Sequence, residues 1–212
     1  MKNFLFGLFF FGIVSTTFAQ ESSTNANAFV IFFHAGWGKL PDKTSGLTNS
    51  SADYINELSS GAGWNLQTYF RHKKFITGLL YSAYTANGKL EYSSDKILTT
   101  YIAPQLGMNV PVGGGKFDIA FNAGIGGMWY CNNSLVFGKN RKAKGNTLGV
   151  NIGVKAVCNF TRNFGVSFEI ATVRANLSQT NITYHGETIK VTYPDALYLN
   201  QLTFSAGLKY SL

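Results

Sequence analysis

Proton transfer near neutral pH depends on histidine more than on any other residue. The chain has three histidines: His34, His72 and His185. His185 shares one segment with Ser178, Glu187 and Asp195, which are the residue types of a nucleophile, its base and an orienting carboxylate. Such residues form a catalytic site only when the fold holds them at hydrogen-bonding distance. Because nothing in the spacing supplies that geometry, we expect no catalytic residues and keep an enzyme as an alternative.

The two cysteines, Cys131 and Cys158, are not spaced as metal ligands. The alternation described below places Cys131 at the top of one strand and Cys158 near the bottom of the next. That separation predicts two unpaired thiols. We expect no metal site and no cofactor.

The elements that position these residues follow from an unusual composition. The chain has 212 residues, of which 45% are hydrophobic, 15% aromatic and only 13% charged. Soluble domains carry about 25% charged residues. A soluble barrel of the lipocalin type needs charges on its outside, so this composition favours a sheet whose apolar face contacts lipid.

The first twenty residues have the three parts of a cleavable secretory signal. Lys2 provides a positive start, Phe4–Val14 is apolar, and small residues in Thr17–Ala19 precede Gln20. The apolar run is shorter than the roughly 20 residues of a spanning helix. We therefore expect a signal peptide over residues 1–19, cleaved after Ala19, and a β-barrel domain over residues 20–212. Removal of Lys2 changes the formal charge from +8 to +7.

The mature chain alternates between large apolar residues and small or polar ones, as β-strands with two different faces do. We predict eight strands at residues 29–38, 60–70, 75–85, 97–110, 117–130, 147–160, 164–177 and 198–212. Long connections, at residues 39–59, 86–96, 131–146 and 178–197, alternate with short turns. This arrangement predicts an all-β fold, a closed antiparallel up-and-down transmembrane barrel of about eight strands with both termini in the periplasm.

In this barrel the large apolar face contacts lipid and the small, polar face lines the lumen. A three-residue turn at Thr161–Asn163 places Lys155 opposite Glu169, both inward. The predicted lumen polar network is Lys155, Glu169, Lys209, Asp118 and Gln67. It is either a gate or a structural network that satisfies buried charges.

Two further groups are predicted outside the lumen. The third long connection contains an extracellular basic loop of Lys139, Arg141, Lys142 and Lys144. This loop either binds lipopolysaccharide phosphates or an acidic partner, or is merely solvated. Interfacial aromatic residues are expected near strand ends: Trp37, Trp64, Trp129 and Tyr210.

Three segments carry a resemblance to a known group of proteins. They are Tyr101–Gly107 (YIAPQLG), Thr161–Val166 (TRNFGV) and the terminal Gly207–Leu212 (GLKYSL). The chain resembles the small eight-stranded outer-membrane barrels of the OmpX and OmpA membrane-domain kind, and the porin-family outer-membrane β-barrel domain. The last segment is similar to the signal read by the barrel-assembly machinery. It departs from that signal in ending on Leu212 rather than on an aromatic residue.

The resemblance implies the cell outer membrane of a Gram-negative envelope but no particular activity. We expect a non-enzymatic barrel that is structural, binds a partner, or serves as an accessory subunit of an envelope complex through its loops or lipid-facing wall. The alternatives are a narrow porin-like channel for ions or small solutes and an outer-leaflet lipid-modifying enzyme. The expected partners are outer-membrane lipid and lipopolysaccharide, other envelope proteins and the barrel-assembly machinery, and not nucleic acid.

Overall fold

The structure is a computed structural model that describes residues 27–40, 58–90, 93–136 and 138–212. The expected signal peptide, residues 1–19, and most of the first long connection lie outside these ranges. The strands are β1 (Ala28–Lys39), β2 (Ser60–His72), β3 (Phe75–Leu90), β4 (Ser93–Val112), β5 (Phe117–Val136), β6 (Lys139–Asn159), β7 (Phe164–Tyr184), β8 (Glu187–Tyr198) and β9 (Gln201–Ser211).

Antiparallel pairing closes these strands into a barrel. β1 to β7 pair in chain order, and β9 pairs with both β7 and β1, which makes a ring of eight strands. Among the residues that the structure describes, β8 pairs with the upper part of β7 alone. The prediction of a closed, antiparallel, up-and-down barrel is confirmed. The start of β1 at Ala28 and the end of β9 at Ser211 both lie at the end of the barrel that carries the short turns.

The register agrees with the alternation of the sequence. Lys155 pairs with Glu169, as predicted from the turn at Thr161–Asn163. Asn163 ends this turn without a positive φ, and its side-chain amide donates to the carbonyl of Ser211 at 2.7 Å.

The second, third and fourth long connections are shorter than predicted, because the strands on either side of them continue beyond the predicted strand ends. β3 and β4 are separated only by residues 91–92, β5 and β6 by residues 137–138, and β7 and β8 by a turn at His185–Gly186. The predicted long connections at 86–96, 131–146 and 178–197 are therefore wrong in length, since most of their residues belong to strands. Both faces of these extensions are polar, so the sequence shows no alternation there, although the backbone ladder continues.

An apolar belt covers the outside of the ring. Its most exposed members include Leu106, Leu148, Ile152, Phe168 and Leu208, and Leu148 reaches 74% exposure. Water-soluble monomers rarely expose contiguous apolar patches beyond a few hundred Å². A belt around the whole wall is therefore a surface for acyl chains. Within the described residues, no helix is both long enough and apolar enough to cross a bilayer.

The lumen is filled more heavily than the sequence predicts. Polar side chains occupy its middle, but apolar and aromatic clusters lie on both sides of them. The cluster toward the short turns contains Val30, Phe32, Tyr69, Ile76, Ala120 and Val157. The cluster toward the long hairpins includes Leu80, Ile97, Tyr101, Met128, Tyr130 and Leu177. The expectation of only small inward residues is wrong, because alternation identifies a face but not the sizes that fit together across the lumen.

Candidate functional site

The centre of the lumen is a buried ion pair between facing residues of β6 and β7. Lys155 Nζ lies 3.2 Å from Glu169 Oε1, and both side chains are fully buried. Lys155 also donates to the side-chain oxygen of Gln67 and, at 3.3 Å, to that of Asn122. Its ammonium group lies 4.7 Å from the ring centroid of Tyr69. The cation thus has several acceptors and an aromatic face in place of water.

The carboxylate of Glu169 is satisfied from β2. Gln67 Nε2 donates to Glu169 Oε1 at 2.8 Å, and Asn65 Nδ2 donates to Oε2 at 2.9 Å. These bonds connect strands on different sides of the ring. The predicted network residues Lys155, Glu169 and Gln67 therefore form one cluster that ties the barrel together across its lumen.

A serine and a histidine extend this cluster. His34 Nδ1 lies 3.0 Å from Asn65 Oδ1 and 3.6 Å from Glu169 Oε2, while His34 Nε2 lies 2.8 Å from Ser167 Oγ. Because the amide oxygen of Asn65 only accepts, Nδ1 carries the proton and Nε2 accepts from Ser167. The order serine, histidine, carboxylate resembles a hydrolase triad. Both His34 and Ser167 are fully buried, so no substrate reaches them in this structure.

A second layer of amides continues the network toward the long hairpins. Gln105 Nε2 donates to Asn151 Oδ1 at 2.8 Å, and the amide of Asn122 donates to Gln105 Oε1 at 3.0 Å. The hydroxyl of Tyr101 donates to Asn151 Oδ1 at 3.1 Å. These residues were not among the predicted network. The alternation of the sequence placed these residues on the inward face. Because they are uncharged, nothing in the sequence indicated which of them would hydrogen-bond to each other.

The other two predicted network residues lie apart, near the short turns. Lys209 Nζ lies 4.0 Å from Asp118 Oδ2, and Asn159 bridges them, accepting from Lys209 at 2.7 Å and donating to Asp118 at 2.9 Å. A cavity of about 20 Å³, lined by Lys155, Lys209 and Asp118 among others, separates this pair from the central cluster. It has room for about one water molecule.

The predicted basic loop is a strand. Lys139, Arg141, Lys142 and Lys144 all lie on β6. The ladder divides them between two faces, since Ala143 is buried while Lys142 and Lys144 are exposed on the outer wall. Arg141 is on the inner side and half-buried. The description as a loop is wrong because β6 keeps its pairing with β5 up to Lys139.

The predicted aromatic residues are placed toward the two ends of the apolar belt. Trp37, Trp64 and Trp129 are exposed on the wall toward the long hairpins. Trp37 Nε1 donates to Ser60 Oγ at 2.7 Å, which gives the indole a polar partner at that edge. Tyr210 lies at the opposite end, where its ring centroid is 4.9 Å from that of Phe164.

The histidine of the fourth connection is not part of an assembled triad. His185 occupies the turn between β7 and β8, with φ of 54°. Ser178 lies at the register shift between Leu177 and Gln179, and Gln179 pairs with Thr192. About six ladder steps of roughly 3.3 Å separate Ser178 from the turn. Cys131 and Cys158 are free thiols, and no metal-binding group of His, Cys, Asp or Glu occurs among the described residues.

Solved structures share this architecture at low sequence identity. The fold is that of a small outer-membrane β-barrel. A major outer membrane protein from Thermus thermophilus aligns with a TM-score of 0.61 at 12% identity, covering 89% of this chain and 100% of that one. Neisserial surface protein A aligns with a TM-score of 0.54 at 11% identity, covering 87% and 97%.

The outer membrane protease OmpT from Escherichia coli aligns with a TM-score of 0.50 at 11% identity, covering 92% of this chain and 99% of that one. No family model matches the chain, and no curated protein matches it. At these identities the likeness extends to the fold alone, which serves a protease as well as proteins of other kinds.

Proposed function

We propose that this protein is an integral outer-membrane barrel that conducts no solute, catalyses no reaction and acts through its long hairpins and its outer wall. It is exported by the signal peptide over residues 1–19, and residues 20–212 form the barrel. The observation that carries the proposal is the filled lumen. If the lumen is closed, the surfaces left to carry the function are the long hairpins and the outer wall, which can bind lipid or envelope proteins.

A permeating ion would have to pass three successive layers. The first is the apolar cluster around Phe32 and Ile76, the second is the Lys155–Glu169 cluster, and the third is the apolar cluster around Tyr101 and Met128. Eight strands enclose a lumen just wide enough for side chains. Opening a path requires several buried hydrogen bonds to break together, which is costly in a low-dielectric interior.

Single-channel recording in a planar bilayer tests this proposal. Purified folded protein should insert without discrete conductance steps. A control variant truncated in all three layers, Phe32→Ala/Tyr101→Ala/Met128→Ala/Lys155→Ala, should conduct if it retains the heat-shifted electrophoretic migration of a folded barrel. Discrete steps from the unmodified protein, absent from a mock preparation, would contradict the proposal and favour a narrow channel.

The non-catalytic part of the proposal is supported by burial. Ser167 and His34 have the order of a hydrolase pair, yet neither is accessible from the wall or the barrel ends. The unmodified protein in vesicles should therefore give no phospholipase or deacylase rate above that of a mock preparation, and Ser167→Ala should give the same background rate. Turnover that depends on Ser167 would show an enzyme instead.

A further inference from the structure

The outer wall above the apolar belt carries a set of exposed lysines, which we call the basic wall patch. Its members are Lys96 on β4, Lys142 and Lys144 on β6, and Lys190 on β8. Only Lys142 and Lys144 belong to the sequence-predicted basic group. The other two are separated from them in the chain by dozens of residues, and strand pairing alone brings them together.

Two rows of paired residues assemble the patch. In the upper row Lys96 pairs with Asn133, which pairs with Lys142. In the lower row Lys144 pairs with Asn181, which pairs with Lys190. Directly paired residues share a face, and adjacent strands lie about 4.8 Å apart. The lysines of each row are therefore about 10 Å apart at their Cα atoms, all on the outer face.

No carboxylate of the described side chains neutralises this face. None of the four lysines takes part in an ion pair among the described residues. Asp95 lies inside, where Asn132 Nδ2 donates to it at 2.9 Å and Ser134 donates a second bond. Glu187 belongs to the other face of the β7–β8 hairpin, because its position alternates with that of Lys190. The patch therefore produces a positive electrostatic potential on this part of the outer wall.

An amphiphilic groove lies directly below the patch. It has a volume of about 390 Å³, and its lining includes Lys144, Asn146, Asn181, Leu98 and Trp129. Its polar lining provides one cation and two amides, and its apolar lining continues the belt that faces acyl chains. Along the wall the lining thus changes from a cation to amides to apolar side chains. This order is complementary to an amphiphile that lies parallel to the barrel axis.

We propose that the basic wall patch and its groove bind the phosphorylated headgroup of an outer-leaflet lipid. The lysines contact the phosphates, while Asn146 and Asn181 offer hydrogen bonds to the polar part of the headgroup. Leu98 and Trp129 pack against the start of the acyl chains. This inference rests on the proposed placement in the outer membrane. An acidic protein is the less suitable occupant, because the site borders the surface that lipid covers.

The test uses the folded protein in neutral detergent micelles and native mass spectrometry to count bound lipid. The probe is bisphosphorylated lipid A, compared with the same lipid after removal of its phosphates. The variant Lys142→Glu/Lys144→Glu should bind the phosphorylated form about tenfold or more weakly, since each lysine near a charged lipid surface contributes appreciably to binding. The matched control, Lys73→Glu/Lys116→Glu at the short turns, changes the net charge equally and should bind like the unmodified protein.

The outcomes separate the alternatives. Equal affinity of the patch variant and the control, or equal affinity for lipid with and without phosphates, would overturn the proposal. Inorganic phosphate that binds as tightly as the lipid would also overturn it, in favour of a free anion. If the glutamate variant does not fold, Lys142→Gln/Lys144→Gln should show a smaller loss of the same kind. Heat-shifted migration reports whether the barrel is folded, and recovery of the unmodified protein in the outer-membrane fraction reports its placement, so failure of either is seen separately from failure of lipid binding.

Discussion

Lys155 shows how a single buried charge depends on its surroundings. Its ammonium group is fully buried and has acceptors from Gln67, Asn122 and Glu169. Removing one partner of a buried ion pair leaves the other charge without compensation, whereas removing both relieves the cost of burying charge. The pair itself joins the neighbouring strands β6 and β7, and its hydrogen bonds to Gln67 extend the contact across the lumen to β2.

We expect Glu169→Gln to lower the free energy of unfolding by about 3–5 kcal/mol, because Lys155 stays buried without its counter-ion. The double variant Lys155→Met/Glu169→Gln should lose clearly less than the sum of the two single variants. Urea unfolding in lipid vesicles, followed by tryptophan fluorescence, measures both quantities. Strictly additive losses would show that the two side chains do not act as a pair.

The β1–β9 contact that closes the ring depends on a glycine with very little space. A Cβ atom on Gly36 would lie 2.0 Å from the backbone oxygen of Phe204. Its directly paired residue, Gly63, has more room, with its nearest neighbour, Thr203 Cγ2, at 3.5 Å. Gly36 and Gly63 are thus neighbouring glycines on paired strands, one without space for a methyl group and one with it.

Gly36→Ala should therefore impair closure, and Gly63→Ala should be tolerated. We expect the first variant to show a lower folded fraction and a lower urea midpoint. The added methyl group would collide with the carbonyl oxygen of Phe204, which cannot move unless the backbone of β9 moves with it. Heat-shifted electrophoresis of refolded protein gives the folded fraction. Equal behaviour of the two variants would contradict the close approach at Gly36.

The β7–β8 hairpin is an element added to a barrel that is complete without it. Val173 pairs with Gln201 and Leu177 with Leu197 in one common register, so β8 and β9 follow the same edge of β7 in succession. The register shifts only after Leu177. The part of the hairpin beyond that shift contributes nothing to ring closure and is available to contact a partner.

Replacing residues 179–192 with an Asn-Gly turn should leave the folded fraction and urea midpoint close to those of the unmodified protein. If the hairpin binds an envelope protein, the same variant should lose that protein in native co-purification from mild detergent. Loss of the folded barrel would show instead that the hairpin is structural. Co-purification that survives the excision would assign partner binding to another surface.

For the molecule as a whole, the solvent around the belt determines stability. An arginine on the lipid face costs about 2–4 kcal/mol at the bilayer midplane and little near the interface. Ile152→Arg, in the middle of the outward face of β6, should reduce stability in vesicles by this amount. Asn140→Arg, near the start of the same strand, should have almost no effect. Equal tolerance of both variants would mean that water, and not lipid, surrounds the wall.

The sequence alone determined the class of fold, the antiparallel order and most faces. A strand with lipid on one side and a packed lumen on the other must alternate between apolar and small or polar residues. This alternation is a local property of the sequence, as Phe204 and Ser205 show. The pairing of Lys155 with Glu169 followed from the same parity and a short turn.

Tertiary structure decided what alternation cannot encode. Above the belt most residues on both faces of a strand are polar, although inward ones such as Asp95 and Ala143 are buried, so the apolar alternation disappeared while the ladder continued, and Lys142 and Lys144 became wall residues rather than loop residues. Inside the barrel, Tyr101, Met128 and Phe32 fill the lumen together. Alternation predicted that side chains face inward but not that they fill the lumen. Distances between strands far apart in the chain, such as those that bring Lys96 and Lys190 to Lys142 and Lys144, exist only once the ring has closed.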